Sequence, residues 1–104
     1  MSLNVTVPSG TYEFDGPYTA ASSLPAASGV YVISTKEPAG TYTVLDVGES
    51  ADVQDRVSNH DRADSWIEHK KDRIYMSAYK CEEKTRMSLE GEIRAQYKPP
   101  CGDR

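Results

Sequence analysis

Gly29-Val30-Tyr31-Val32-Ile33-Ser34 is a β-branched and aromatic run, and Thr41-Tyr42-Thr43-Val44-Leu45-Asp46-Val47 repeats its character. Between them, Lys36-Glu37-Pro38-Ala39-Gly40 holds the Pro and Gly of a turn. Two strand-like runs across so short a connection predict an antiparallel hairpin, with Gly48 stopping its second strand. Beyond the hairpin, Ser50 offers a helix N-cap, with Asp52 in the first turn where negative charge suits the helix dipole. Val53 and Val57 recur at i, i+4 and mark a buried stripe, while Arg56 and His60 share the neighbouring face by the same spacing. A second helix is expected near Asp64, carrying Trp66, Ile67, Lys70 and Lys71.

Ile74 to Cys81 then alternates as a third strand, with Ile74, Met76 and Ala78 on one side and Tyr75, Ser77 and Tyr79 on the other. Glu82 to Gln96 has the strongest helix propensity, with Leu89, Ile93 and Tyr97 stacked at i, i+4, i+8, and Pro99-Pro100 ends it. Upstream, residues 1–28 show neither period. Tyr12-Glu13-Phe14 is expected as a short edge strand, Gly16-Pro17 as a turn, and Thr19 to Ser28 as a short helix or covering loop. The expected fold is α+β: a small sheet with helices packed on it, in a single domain over 1–104. Residues 1–28 form an N-terminal extension or edge element, and residues 29–102 the core.

The chain has 104 residues, 12 Lys and Arg against 16 Asp and Glu, and a formal charge of −4. That length suits one domain. No apolar run approaches the roughly 18 residues of a membrane span, and Met1-Ser2-Leu3-Asn4 lacks the basic and apolar regions of a secretory signal. The expectation is a soluble cytoplasmic protein. Cys81 and Cys101 are too few for a disulfide framework or a thiolate zinc cage and read as free thiols. Residues 1–55 carry one base and seven acids, whereas residues 56–104 carry eleven bases and nine acids. Such a bipolar chain can present a basic face to phosphate or simply carry solvated helix faces; charge alone does not choose.

Two groups of residues suggest chemistry. Arg56 can hold a phosphate with a bidentate fork, and His60, one turn on, can relay a proton near neutral pH. Glu90 lies beside Leu89 and Ile93, close to an apolar stripe where an unpaired carboxylate is costly. Either a bound cation or an i, i+4 pair with Arg94 relieves that cost. Among the aromatics, Trp66, Tyr75 and Tyr79 are assigned to packing.

From Gly29 to about Gly102 the chain resembles the GIY-YIG nuclease domain. Gly29-Val30-Tyr31 stands where that family has Gly-Ile-Tyr, and Asp46-Val47-Gly48 where it has Tyr-Ile-Gly. Gly48-x-Ser50…Arg56-x-x-x-His60 follows in register, and Glu90 precedes Pro99 by nine residues. The resemblance implies a small central three-stranded antiparallel sheet flanked by helices, and metal-dependent hydrolysis of DNA phosphodiesters. Carried over, Tyr31 would activate or orient the attacking water, Arg56 would steady the scissile phosphate, His60 would assist proton transfer, and Glu90 would hold Mg²⁺ or Mn²⁺. A phenol is a poor base at neutral pH, so Tyr31 would need a nearby cation or His60.

Three positions depart from the family pattern. Asp46 replaces the second tyrosine, Glu49 stands where a basic or small residue is common, and Gly102 replaces the terminal Asn. Asp46 and Glu49 would repel DNA unless neutralised. Two alternatives follow. In one, Asp46, with Glu49, joins Glu90 in holding metal, and Gly48 and Ser50 complete the site. In the other, the chain is a catalytically impaired relative that binds nucleic acid or a protein partner. Arg56, Arg62, Lys70, Lys71 and Arg73 are the candidates for the DNA backbone, expected along one edge of the sheet. With no zinc finger or helix-turn-helix signature, specificity would come from loops, a homodimer or a protein partner.

Overall fold

The computed structural model describes residues 2–102. The elements are β1 (Ser2–Val7), β2 (Gly10–Tyr18), a 3₁₀ turn (Ala21–Ser23), β3 (Gly29–Lys36), β4 (Tyr42–Ser50), α1 (Val53–Ser58), α2 (Ala63–His69), β5 (Tyr75–Lys80) and α3 (Glu83–Tyr97). The class is α+β as expected, but the antiparallel sheet has five strands, ordered β1-β2-β5-β3-β4. The expected three are its β5-β3-β4 part.

The two additional strands come from the N-terminal extension. Leu3, Val5 and Val7 alternate with polar residues on β1, and Val5 and Val7 are buried with Phe14 of β2. Tyr12-Glu13-Phe14 is therefore in a strand, but an internal one. Gly16-Pro17 does not turn the chain. It sits in an irregularity of β2, between the Asp15↔Ala78 and Tyr18↔Met76 pairs with β5. Gly16 has φ +121°, and a β-carbon there would lie 2.8 Å from the Met76 carbonyl oxygen, so the close approach of β2 to β5 requires glycine.

Strand β3, between β5 and β4, is buried on both faces, which explains its unbroken apolar run. On one face Tyr31 and Ile33 pack with Leu45, Ala78, Val53, Val57 and Trp66, under α1 and α2. On the other, Val30, Val32 and Val47 pack with Leu89 and Ile93 of α3. Tyr97 departs from its expected place in that stripe. It is 39% exposed, and its hydroxyl accepts from the Thr6 amide and donates to the Thr6 carbonyl, tying α3 to the N-terminal hairpin.

Two boundaries shift in ways that matter for the site. Gly48 does not end β4, which runs on to Ser50 and pairs Gly48 with Tyr31. The N-cap of α1 is Asp52 rather than Ser50: its carboxylate accepts from the Asp55 amide at 3.1 Å. Helix α1 then closes at Ser58, so His60 belongs to the α1–α2 turn and not to the face of Arg56. Among the described residues no helix is long and apolar enough to cross a membrane.

Candidate active site

Four elements meet at a polar cleft of about 200 Å³. Tyr31 comes from β3, Gly48 and Glu49 from β4, Arg56 from α1, and Glu90 and Arg94 from α3; Arg62 and Gly102 close it. A larger cleft, about 470 Å³ around Lys36, Pro38 and Lys71, lies at the turn end of β3 and contains none of these groups.

The Tyr31 side chain is 1% exposed as a residue and lies across Gly48. A β-carbon at Gly48 would overlap its ring and hydroxyl, so the glycine of the second motif is the floor on which the phenol rests. Burial pushes the Tyr31 phenol up to about 12, against the nearby Arg56 charge, which pulls it down. Its hydroxyl is 2.7 Å from His60 Nε2. The His60 ring is buried against Trp66, with ring centroids 4.6 Å apart, and does not face the cleft. Burial, followed by the charges of Arg56 and Arg62, lowers its imidazole to about 4, so it is neutral at physiological pH.

Arg56 is more accessible, with a side chain 39% exposed. It pairs at 3.1 Å with Asp61, which is 75% exposed. Such an open pair is worth at most about 1 kcal/mol, so its guanidinium can turn to another anion at little cost. Glu90 is 4% exposed and accepts from Arg94 Nε at 3.1 Å. The i, i+4 pairing open in the sequence is therefore made, but inside the fold rather than on its surface.

Asp46 corrects the expectation of a metal ligand. It projects from β4 toward α2, is 0% exposed, and does not line the cleft. Its Oδ2 accepts from Arg62 Nε at 2.9 Å and from the Trp66 indole at 2.8 Å; its Oδ1 accepts from Arg94 at 3.1 Å, Arg62 at 3.2 Å and the Val47 amide at 2.8 Å. Burial alone would raise this carboxyl, but the hydrogen bonds from Arg62, Trp66 and Arg94 outweigh it and hold it below the ordinary carboxylate range. Five donors leave no lone pair for a cation. Because β4 is the last strand of the sheet, Arg94 reaches around it from the opposite face, and it also donates to the Val47 and Gly102 carbonyls.

Gly102 belongs to the same construction. It has φ +71°, and a β-carbon there would lie 2.7 Å from Arg62 Nε. The missing side chain at 102 is what allows Arg62 to reach Asp46. Glu49 is likewise neutralised by protein: Arg86 Nε is 2.6 Å from its carboxylate and Arg86 also donates to Ser28 Oγ. Repulsion at the two acidic departures is cancelled by arginines rather than by a metal.

The remaining site candidates divide. Gly48 and Glu49 line the cleft, whereas the Ser50 hydroxyl accepts from the Asp52 amide at the start of α1. Of the backbone candidates, Arg56 and Arg62 are at the cleft. Lys70, Lys71 and Arg73 are not: Lys71 and Arg73 are tied through their backbones to Thr35, close to the β3–β4 turn. Thr35 is four residues along β3 from Tyr31, so the Lys71 and Arg73 backbones are anchored about 13 Å away along the strand, and none of the three residues lines the cleft. Arg94, Arg86 and the Trp66 indole are site components that the motif reading missed.

Among the described residues no three His, Cys, Asp or Glu side chains cluster to cage a metal ion. Mg²⁺ accepts a looser arrangement, one protein carboxylate with water and substrate phosphate, and Glu90, which lines the cleft, would be that carboxylate only by giving up Arg94. Compared with known family models, curated proteins and solved structures, the chain matches none.

Proposed function

We propose that this chain is a divalent-metal-dependent endonuclease that hydrolyses phosphodiester bonds in DNA. The observation that carries this reading is that Tyr31, Arg56 and Glu90, from three separate elements, line one cleft, with His60 bonded to the phenol behind it. The motif order that resembles the GIY-YIG nucleases is the supporting argument from sequence.

The charge of the cleft suits an oxyanion. Arg56, Arg62 and Arg94 face it, against Glu90 on its wall and Asp46 behind it, while Glu49 is cancelled by Arg86. Once Arg56 is released from the exposed Asp61, the balance is one positive charge in a recess, which attracts phosphate. Arg56 would release Asp61 and offer its fork to the scissile phosphate. Arg62 and Arg94, anchored on Asp46, would hold fixed positive charge on either side without reorganising. Tyr31, braced by Gly48 and His60, would orient an oxygen in the reacting group. Glu90 would hold the cation, which supplies polarisation of the phosphoryl oxygens and charge neutralisation at the leaving oxygen.

A second reading is favoured by one contact. The Arg94–Glu90 ion pair competes with a cation for the Glu90 carboxylate, as Arg86 does for Glu49. If it persists in solution, the cleft binds phosphate without cutting, and the chain is a DNA-binding module. The two readings separate in one experiment, incubation of plasmid and branched DNA with the purified protein in Mg²⁺, Mn²⁺ or chelator. Metal-dependent nicking that disappears in Glu90→Gln and Arg56→Ala supports the endonuclease. DNA binding that is unchanged by chelator, with no nicking in either metal, supports the binding module.

A further inference from the structure

The bond between Tyr31 and His60 has a direction that can be deduced. His60 Nδ1 lies 3.0 Å from the backbone nitrogen of Arg62, and an amide N–H can only donate. Nδ1 must therefore present a lone pair. A neutral imidazole with an unprotonated Nδ1 carries its hydrogen on Nε2, and Nε2 is the atom 2.7 Å from the Tyr31 hydroxyl. His60 thus donates and the phenol oxygen accepts. A doubly protonated ring is disfavoured by geometry as well as by burial: its Nδ1–H would confront the Arg62 N–H, with only the exposed Asp61 carboxylate, 3.4 Å away, to answer it.

With its oxygen accepting from His60, Tyr31 has its own hydrogen to place, and the polar space in front of it is the cleft. The charged groups around the pair are Arg56 of α1, Asp61 and Arg62 of the α1–α2 turn, and Asp46 of β4. Arg56 and Arg62 are donors only, and Asp46 is saturated by its five donors.

We infer that His60 is a fixed Nε2–H donor to Tyr31, so that the Tyr31 phenol turns its own proton into the cleft and serves there as a hydrogen-bond donor to a bound phosphate oxygen, not as a base. His60 is then a positioning residue: the Arg62 amide sets its tautomer, and the tautomer sets the direction of the phenol. The direction of the bond stands independently of the proposed activity; its use on a DNA phosphate rests on that reading. This arrangement also removes His60 from proton relay, because neither ring nitrogen reaches the cleft as an acceptor. Burial fits the donor role, since a phenol raised to about 12 retains its proton at neutral pH.

The test needs no turnover. Long-range ¹H–¹⁵N correlation spectra of the ¹⁵N-labelled protein distinguish protonated from unprotonated ring nitrogens, and a His69→Gln variant identifies which of the two histidines is His60. The expected result is an unprotonated Nδ1 and a protonated Nε2, unchanged between about pH 6 and 8. The opposite tautomer, or an imidazolium in that range, overturns the inference. Inorganic phosphate titrated by amide shifts tests the second half: Tyr31→Phe should bind it at least about fivefold more weakly, the loss of one charge-assisted hydrogen bond. Equal affinity of the two proteins, or no phosphate binding by either, overturns the donor role. The outcomes are separable from the nuclease reading: the expected tautomer and phosphate binding without DNA cleavage would sink the endonuclease alone, and cleavage with the opposite tautomer would sink this inference alone.

Discussion

Arg62 Nε sits 2.9 Å from Asp46 Oδ2, and it does so in space that any side chain at residue 102 would contest. Asp46→Ala would leave Arg62 and Arg94 without their buried partner. The expected loss is about 3 kcal/mol of stability, read from urea unfolding midpoints. Gly102→Ala should cost less, through its positive φ and displacement of Arg62. Because it disturbs the same contact, the double variant should fall short of the sum of the two single losses by about 1 kcal/mol, and full additivity would mean that the two positions do not communicate.

His60 makes stability depend on pH in a defined window. The unfolded chain takes a proton near the ordinary histidine value of about 6.5, while the folded protein resists it down to about 4. Between those values the unfolded state binds more protons, so stability falls as pH drops from about 6.5 to 4 and gains no further loss below. The full effect is about 3 kcal/mol. His60→Gln should abolish this decline while retaining acid loss from Asp46, whose lowered carboxyl contributes stability above the ordinary aspartate range and loses it only at lower pH. Unfolding curves at several pH values check both.

Gly48→Ala should remove function at its support. A methyl group there overlaps the Tyr31 ring, which must move or strain β4, at a cost of about 1–3 kcal/mol. Any DNA cleavage should be lost even in molecules that remain folded, with intact circular dichroism as the control.

Arg86 should matter for DNA although it does not line the cleft. Arg86→Ala exposes the uncompensated charge of Glu49 beside the phosphate position and should weaken DNA binding about fivefold, the scale of about 1 kcal/mol for one charge at contact range in water. Adding Glu49→Gln should restore the affinity. Fluorescence anisotropy at fixed salt measures the set, and failure of the rescue would remove Glu49 from the DNA path.

The parts of this fold that were readable from sequence are those where one period dominates. The β3 and β4 runs, the alternation of β5, the Val53/Val57 stripe and the Leu89/Ile93 stripe all stand in the structure. The N-terminal hairpin was hidden because Pro8, Gly10, Gly16 and Pro17 punctuate it, and only the Leu3-Val5-Val7 alternation spoke for a strand. The site was legible as a set of motif residues, and Tyr31, Arg56 and Glu90 do meet. What surrounds them was not. A carboxylate within Val44-Leu45-Asp46-Val47 demands cationic partners on physical grounds, yet nothing local names Arg62 or Arg94, which lie 16 and 48 residues away. His60 reaches Tyr31 from a turn, so helical spacing placed it near the site by the wrong route.

Residues 2–18 do more than lengthen the sheet. With β2 alongside, β5 has its main-chain groups paired on both flanks, and the hairpin is held at a second point by the Tyr97 hydroxyl on Thr6. A version cut back to Gly29 would keep every motif residue and yet carry a raw, half-apolar margin on which another molecule could add itself as the missing strand. Such a truncated protein should self-associate along β5, whereas in the full sheet the open margin is moved out to β1.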